Sequence, residues 1–188
     1  MHTLGWNDQL SVARGGTGLS TVAAGSFLSG NGTSALSVRT ASQVLSDIGA
    51  MTADWSDPGS DHTYKGVKRS MVCGGTTLNF GDVGYVDPQG KVQIADSDDE
   101  TKTGMLVMAM ATVTSNNSAD FLILGVARDA SWSWSPGGMI YVSASNTTGN
   151  TLTQGYPSGT GTAVQIVGAA LSANIMIFKP ELTRIILK

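Results

Sequence analysis

The last two thirds of this 188-residue chain alternate between short strand-like runs and clusters of turn residues. From about Arg69 onward the runs are rich in β-branched and apolar residues, the clusters in Gly, Asn, Asp and Pro. No apolar repeat of helical period interrupts this alternation. Strands at such spacing, without intervening helices, are typical of an antiparallel barrel or sandwich. The sequence therefore predicts an antiparallel β domain over residues 69–188.

Four hairpins are predicted inside this domain. They pair residues 83–86 with 91–94, 105–114 with 121–129, 139–144 with 151–154, and 163–169 with 175–178. In the first hairpin, Pro88 and Gly90 stand at the second and fourth positions of the turn, as a type I turn prefers. Residues 182–187 are predicted to form a closing strand.

Residues 14–36 contain a glycine turn followed by a predicted hairpin. Gly15, Gly16 and Gly18 surround Thr17, which gives the backbone access to positive φ angles. Next, residues 26–29 and 33–36 flank Gly30-Asn31-Gly32. An Asn-Gly pair between two such runs predicts a type I′ turn, because that turn needs positive φ at both central positions.

A short helix is predicted directly after the hairpin. Thr40 precedes Gln43 by three residues, the spacing of a capping box. The apolar residues that follow have helical spacing: Ala41, Val44, Leu45 and Ile48. Gly49 stands where a helix commonly ends.

A helix of about two turns is not stable alone in water, so its apolar stripe needs a partner surface. A segment of this length cannot build a core of its own. We therefore expect other copies of the chain to supply that surface. The candidate contacts between copies are Phe27, Leu28, Val44, Leu45 and Ile48.

Three motifs occur in a fixed order in this segment: GGTG at residues 15–18, GNG at 30–32 and VLSDIGA at 44–50. Together they resemble the GGTG-type segment of tailed-bacteriophage fibre proteins, over about a fifth of the chain. The resemblance implies a virion protein, usually a homotrimer, with a slender N-terminal shaft and a broader distal domain. The basic architecture expected is thus mainly β, with one short helix in the shaft, and trimeric.

The predicted organisation has three parts. Residues 1–50 form the shaft or trimerisation segment, residues 51–68 a linker, and residues 69–188 the β domain. The linker is predicted from the turn cluster at residues 57–61, through which no periodic pattern continues. At the N-terminal end, Trp6 is a candidate anchor to a larger assembly, and packing beside the first turn is the alternative.

Composition excludes several function classes. Only 13% of residues are charged and the net charge is −3, with basic residues scattered rather than gathered in a stripe. A nucleic-acid partner is therefore not expected. Cys73 is the single cysteine, so no intrachain disulfide is expected. No apolar run approaches the ~20 residues that span a bilayer, and no secretory signal is seen. We expect no membrane insertion, and synthesis in a host cytoplasm.

Catalytic and metal motifs are missing from the sequence. Neither a phosphate-binding loop, a nucleophile elbow nor a zinc-binding helix motif occurs. His62 lies beside Ser60 and Asp61, but a catalytic triad needs a rigid scaffold, so a solvated loop is favoured. The acidic run at residues 96–100 lacks the spacing of an EF-hand, so a solvated turn is favoured over Ca²⁺ binding. The chain is predicted to be non-enzymatic, with no catalytic, cofactor or metal site.

Trp132 and Trp134 form the most distinctive cluster, in the run Ser-Trp-Ser-Trp-Ser at residues 131–135. On a strand, both indoles would point to the same face. They would then form either a platform for a sugar ring or a filling for the barrel interior or a trimer interface. We favour the second interpretation, in which both tryptophans pack in the barrel interior or in a trimer interface. Further candidate contacts to a receptor or glycan are Tyr156, Asn117 and Asn146, in predicted loops of the β domain.

The function expected from the resemblance is that of a tail fibre or receptor-binding component in the virion. Its partners would be further copies of itself, other virion proteins through the N-terminal segment, and a glycan or protein of the host surface. Two alternatives remain open. One is an architectural head-decoration or fibre-base protein, and the other is a glycan depolymerase.

Overall fold

The computed structural model of the protein describes residues 16–49 and 54–188. The chain divides into two compact units, with the boundary between Thr52 and Ala53. Trp6 and Gly15, singled out in the sequence, lie outside the described residues. The described residues are mainly β, with one α helix.

The hairpin of the first unit consists of β1 (Phe27–Ser29) and β2 (Ser37–Arg39), which pair antiparallel with Leu28 opposite Val38. The prediction that residues 33–36 form the second strand is wrong. The Leu36 amide donates instead to the Thr17 carbonyl oxygen (2.9 Å), in the glycine turn. This bond ties the glycine turn to the hairpin.

The turn type also differs from the prediction. The Ser34 amide donates to the Asn31 carbonyl oxygen (3.1 Å), which places Gly32 and Thr33 at the centre of the turn. Only Gly32 of these two has a positive φ, of 60°. A type I′ turn needs positive φ at both central residues, so this turn is not of that type.

The predicted helix is confirmed as α1 (Ala41–Asp47). The Gln43 amide donates to Thr40 Oγ1 (3.3 Å) and the Thr40 amide donates to Gln43 Oε1 (2.8 Å), which completes the capping box. Gly49 has a φ of 63° just past the helix. That left-handed conformation closes helices at little cost when the residue is glycine.

The first unit leaves its apolar side chains at the surface. Phe27 is 50% exposed, Leu28 44% and Ile48 70%, while Val44 and Leu45 are half-buried. No residue between 16 and 49 is buried. The apolar stripe of α1 and the apolar residues of β1 therefore have no full cover within residues 16–49.

The second unit is built from eleven strands. They are β3 (Thr63–Val72), β4 (Val83–Val86), β5 (Val92–Ile94), β6 (Leu106–Ala109), β7 (Ser118–Arg128), β8 (Met139–Val142), β9 (Leu152–Thr153), β10 (Ala163–Val164), β11 (Ile166–Ala170), β12 (Ile175–Phe178) and β13 (Ile185–Ile186). Nine of them form one antiparallel sheet in the order β5-β4-β6-β7-β12-β11-β8-β9, with β3 paired to β7. This sheet curls into a half-barrel.

The four predicted hairpin pairings are confirmed, except that Ala163 and Val164 of the fourth hairpin form a separate strand, β10. Strand β4 pairs with β5, β6 with β7, β8 with β9 and β11 with β12, all antiparallel. The predicted closing strand is reduced to β13, which pairs with β10 in a separate two-stranded sheet.

Strand β3 begins inside the predicted linker, and that boundary needs correction. Thr63 to Lys68, assigned to the linker, pair with β7 over its C-terminal half. Strand β7 has β3 along one edge, and its other edge is shared between β6 and β12. The β7 residues that pair with Thr63 to Lys68 lie more than fifty residues ahead in the sequence, so no local pattern predicted this part of the strand.

Paired glycines bring β3 and β7 together. Gly66 lies opposite Gly125, and a Cβ atom at Gly125 would collide with the carbonyl oxygen of Lys65. Gly168 of β11 stands in the same relation to the carbonyl oxygen of Ile177 in β12. At these positions only glycine allows the backbones to approach so closely.

The core lies on both faces of the sheet. Leu106 and Met108 of β6 pack into one apolar cluster, whose largest member is Phe178, while Val107 belongs to a second cluster around Phe121. All four side chains of β6 are buried, which is why its sequence shows no polar alternation.

Hydrogen bonds hold the two ends of the sheet close to each other. The Val83 amide of β4 donates to Thr151 Oγ1 (2.8 Å), and the Ser97 amide donates to the Ser143 carbonyl oxygen (3.0 Å). Asp96 and Ser97 are buried by this closure, so the prediction that residues 96–100 form a solvated turn is wrong for its first two residues. The loops that follow β3 and precede β9 are thereby brought together.

Within the described ranges, no helix has the length and apolar character needed to cross a bilayer.

Candidate functional site

A cleft of about 920 Å³ opens in the β domain where the ends of the curled sheet meet. Four short segments and two single residues line it: residues 79–82, 110–112, 131–134 and 149–152, Asp129, and His62 in the turn before β3. Segments far apart in the sequence thus form one concave surface, as ligand sites usually require.

Trp132 and Trp134 lie in this cleft, half-buried, with ring centroids 5.7 Å apart and planes inclined by 47°. They follow β7 in an irregular segment, so their placement on a strand was wrong. The Trp134 amide donates to the Ala173 carbonyl oxygen (2.9 Å), and Asn174 Nδ2 donates to the Trp132 carbonyl oxygen (2.8 Å). Both indoles also pack against the core, as the interpretation as a filling of the barrel interior expected. Each indole also lines the cleft, where a platform for a sugar ring would have to lie.

A second aromatic pair lines the same cleft. The rings of His62 and Phe80 lie 4.9 Å apart, inclined by 34°. The next residue, Gly81, has a φ of 84°, and a Cβ atom there would lie 2.9 Å from Trp132 Cζ2. The loop that carries Phe80 therefore rests directly against Trp132, and glycine makes that contact sterically feasible.

Asp129 is one of two buried aspartates that line the cleft. Its Oδ1 accepts hydrogen bonds from the Ser131 amide (2.8 Å) and the Ser131 hydroxyl (2.6 Å). Its Oδ2 lies 3.5 Å from His62 Nε2. His62 was predicted to lie in a solvated loop; it is exposed, but the structure brings it to Asp129 and the cleft.

Asp61 approaches the same nitrogen of His62, with its Oδ2 4.0 Å from Nε2. A hydrogen bond from the Ala130 amide to its Oδ1 (2.6 Å) is the main cause that lowers the pKa of Asp61. Asp61, His62 and Asp129 are the described residues whose ligand atoms, all within 4.8 Å of one another, could hold a metal ion. A histidine side chain that contacts two carboxyl groups has the same spacing, so this geometry assigns no metal.

Asp82 connects two loops that line the cleft, residues 79–82 and residues 149–152. Its carboxylate accepts hydrogen bonds from the amides of Asn79 (2.8 Å) and Gly149 (2.7 Å) and from the Thr151 hydroxyl (3.3 Å). Burial raises the pKa of Asp82, and the three donors oppose that shift. The role of Asp82 is thus to hold two loops at a fixed distance.

The remaining candidate contacts lie apart from the cleft lining. Tyr156 is 61% exposed and meets Tyr141 edge-on, with centroids 5.6 Å apart. Asn117 is exposed and donates from Nδ2 to Thr114 Oγ1 (2.7 Å). Asn146 is exposed in the loop between β8 and β9, whose later residues do line the cleft.

The cleft residues that sequence reasoning missed include Asn79, Phe80, Asp82 and Asp129. Phe80 and Asp82 stand in a short turn before β4, in no recognisable motif. Asp129 could have been noticed, because it stands two residues before the Ser-Trp-Ser-Trp run. Their convergence depends on the curl of the sheet.

Comparison with protein families, curated proteins and solved structures found no match to this chain.

Proposed function

We propose that this chain is a structural virion protein of a tailed bacteriophage, a tail-fibre or receptor-binding component that attaches the virion to a glycan of the host surface. It acts without catalysis. The single observation that carries glycan attachment is the cleft with two aromatic pairs. The assignment to a phage fibre rests on the resemblance of residues 13–50.

The cleft suits a sugar ring for a chemical reason. The carbon faces of a pyranose are apolar, and the flat rings of Trp132 and Trp134 offer rigid apolar area at low entropic cost. Hydroxyl groups around the sugar need hydrogen-bond partners. Ser131, Ser133 and Asn150 line the cleft and are exposed.

The N-terminal segment supports self-association in this proposal. The exposed apolar side chains of β1 and α1 are those that a stable monomer would bury. In a homotrimer they would cover one another around a common axis. The same segment would connect the fibre to other virion proteins.

Three copies would turn weak sites into firm attachment. A cleft that binds one or two sugar units has modest affinity, but three clefts on one stalk raise the effective concentration of the second and third contacts. No single site then needs to be strong.

The experiment is a binding titration on immobilised polysaccharides. The probes are capsular polysaccharides and delipidated O-polysaccharides from many bacteria, and the full-length protein is titrated to micromolar concentration. We expect binding to some members of the panel. The affinity for these members should fall at least about tenfold in Trp132→Ala and in Trp134→Ala. Trp55→Ala is the matched control, because Trp55 is an exposed tryptophan outside the cleft lining.

Two outcomes contradict the proposal. Absence of binding to every polysaccharide would favour the architectural role in a head decoration or fibre base, in which the apolar N-terminal segment is the functional surface. Shortened chains after incubation with a bound polysaccharide would favour a depolymerase. One observation argues against a depolymerase, because most glycoside hydrolases use a pair of carboxyl groups. Asp82 and Asp129 are the carboxyl groups among the described residues that line the cleft, and Asp82 already accepts three hydrogen bonds.

A further inference from the structure

We infer that the aromatic cleft selects electrically neutral glycans and rejects those that carry uronic acids or other anionic sugars. The inference rests on the proposed function and names the class of ligand for the same site. It follows from the charges that surround the two aromatic pairs.

Among residues 16–49 and 54–188, those that line the cleft include two carboxylates, Asp82 and Asp129, and neither lysine nor arginine. Both carboxylates are buried. A buried charge is weakly screened by water and salt, so its field reaches a ligand in the cleft more strongly than the field of a surface charge.

The cation beside the cleft does not reverse this field. Arg128 lies near Asp61 and contributes to lowering the pKa of Asp61, so these two charges offset each other. Arg128 also directs Nη1 towards the Pro58 carbonyl oxygen (3.4 Å). His62 is shared between the carboxylates of Asp61 and Asp129. An anionic sugar would therefore meet carboxylates without a basic side chain placed to receive it.

A neutral sugar meets a more favourable surface. Asp129 Oδ1 accepts two hydrogen bonds from Ser131, whereas Oδ2 lies 3.5 Å from His62 Nε2 and can accept a hydrogen bond from a sugar hydroxyl group. A carboxylate that accepts a hydrogen bond from a hydroxyl group forms a stronger bond than a neutral acceptor does. The same oxygen that repels a uronate would thus bind a hydroxyl group.

The test uses the polysaccharide panel, divided into members with neutral repeating units and members that contain uronic acids. Binding is measured at about pH 8, where the carboxyl groups of uronic acids are ionised, and in the presence of a chelator that removes adventitious divalent cations. We expect the bound members to be neutral. For matched competitors, methyl glucoside or methyl galactoside should inhibit at least about fivefold better than the corresponding methyl uronide.

A variant that adds a positive charge at the cleft tests the cause without disturbing the core. Ser133 is exposed at the cleft, so Ser133→Lys adds one positive charge, and Ser133→Gln adds length without charge. We expect Ser133→Lys to raise affinity for uronate-containing polysaccharides at least about fivefold over Ser133→Gln.

The outcomes separate this inference from the proposed function. If the wild type binds uronate-containing and neutral polysaccharides equally, and Trp132→Ala abolishes both, attachment stands and selection of neutral glycans is wrong. Equal uronate binding by the two Ser133 variants would also overturn the inference. If no polysaccharide of either kind binds, the proposed function itself fails.

Discussion

The two units of this chain treat their apolar residues in opposite ways. Residues 16–49 bury none of their side chains, although Phe27, Leu28 and Ile48 are large and apolar. The β domain buries both faces of its sheet, and Phe121 and Phe178 are fully enclosed. The β domain is thus a folding unit with its own core, whereas the first unit contains local devices without a core.

This difference predicts where the stability of each unit comes from. In the β domain it comes from packing and from long-range strand pairing within one chain. In the first unit it comes from the capping box, the hairpin and, in our proposal, contact with other copies. Four substitutions test this division, in order of decreasing expected effect.

The largest effect is expected from Gly125→Ala in β7. The new methyl group would collide with the Lys65 carbonyl oxygen and force β3 away from β7, so we expect a loss of more than about 3 kcal/mol in the free energy of unfolding. Gly30→Ala is the matched control, since Gly30 has open space around it. Denaturant unfolding measures both. Equal stability of the two variants would refute the close-approach argument.

The second prediction concerns assembly. Ile48→Asp places a charge in the exposed apolar stripe of α1, and we expect the mass in light scattering to fall from three chains towards one. Leu182→Asp changes an equally exposed leucine of the β domain and should leave the mass unchanged. In Ile48→Asp, the melting temperature of the β domain should stay unchanged although the mass falls. A wild-type protein that is monomeric while folded would disprove self-association.

The third prediction concerns Asp82. Its pKa is raised by burial in the folded state, so the folded protein binds this proton more tightly than the unfolded chain does. The contribution of Asp82 to stability is therefore full below its ordinary pKa of 3.8 and declines as the pH rises from there through the higher folded pKa.

Asp82→Asn removes that pH-dependent contribution and leaves one of three donors unpaired, at a cost of about 1–3 kcal/mol. The deficit of the variant relative to wild type should shrink as the pH rises through that range. Asp57→Asn, at an exposed position, controls for loss of one charge. Chemical denaturation at several pH values measures the difference, and a deficit that grows with pH would contradict the assignment.

The smallest effect is expected from Thr40→Ala, which removes the N-cap of α1 at a cost of about 1 kcal/mol. Since α1 has only seven residues and no buried side chain, we expect a loss of helical circular dichroism and weaker self-association, with an unchanged β domain. Ser42→Ala, an exposed position of the same helix, is the control. If Thr40→Ala also lowers the melting temperature of the β domain, the stability of that domain depends on the first unit. The proposed division between the two units would then be wrong.

Local signals predicted much of the fold. The hairpin pairings of the β domain and the helix at Ala41–Asp47 follow from turn chemistry, alternation and capping, which act over a few residues. Predictions failed where a distant partner decided the outcome. Residues 33–36 do not form the predicted strand, and the Leu36 amide donates to the Thr17 carbonyl oxygen instead. Thr63 to Lys68 form a strand because β7 pairs with them.

The candidate site shows the same limit. The tryptophans at 132 and 134 were recognisable as unusual from the sequence alone. Their neighbours Phe80, Asp82 and Asp129 were not, because these residues share no local motif and meet only when the sheet curls.

The sequence by itself determined the class of structure, the positions of the turns and the presence of an uncovered apolar segment before the β domain. These properties depend on interactions between residues close together in the chain. Tertiary structure decided that β3 begins at Thr63, that β6 is buried on both faces, and that His62 faces Asp129 beside two indoles. Such contacts depend on strand order and curl, which arise from packing between residues far apart in the sequence.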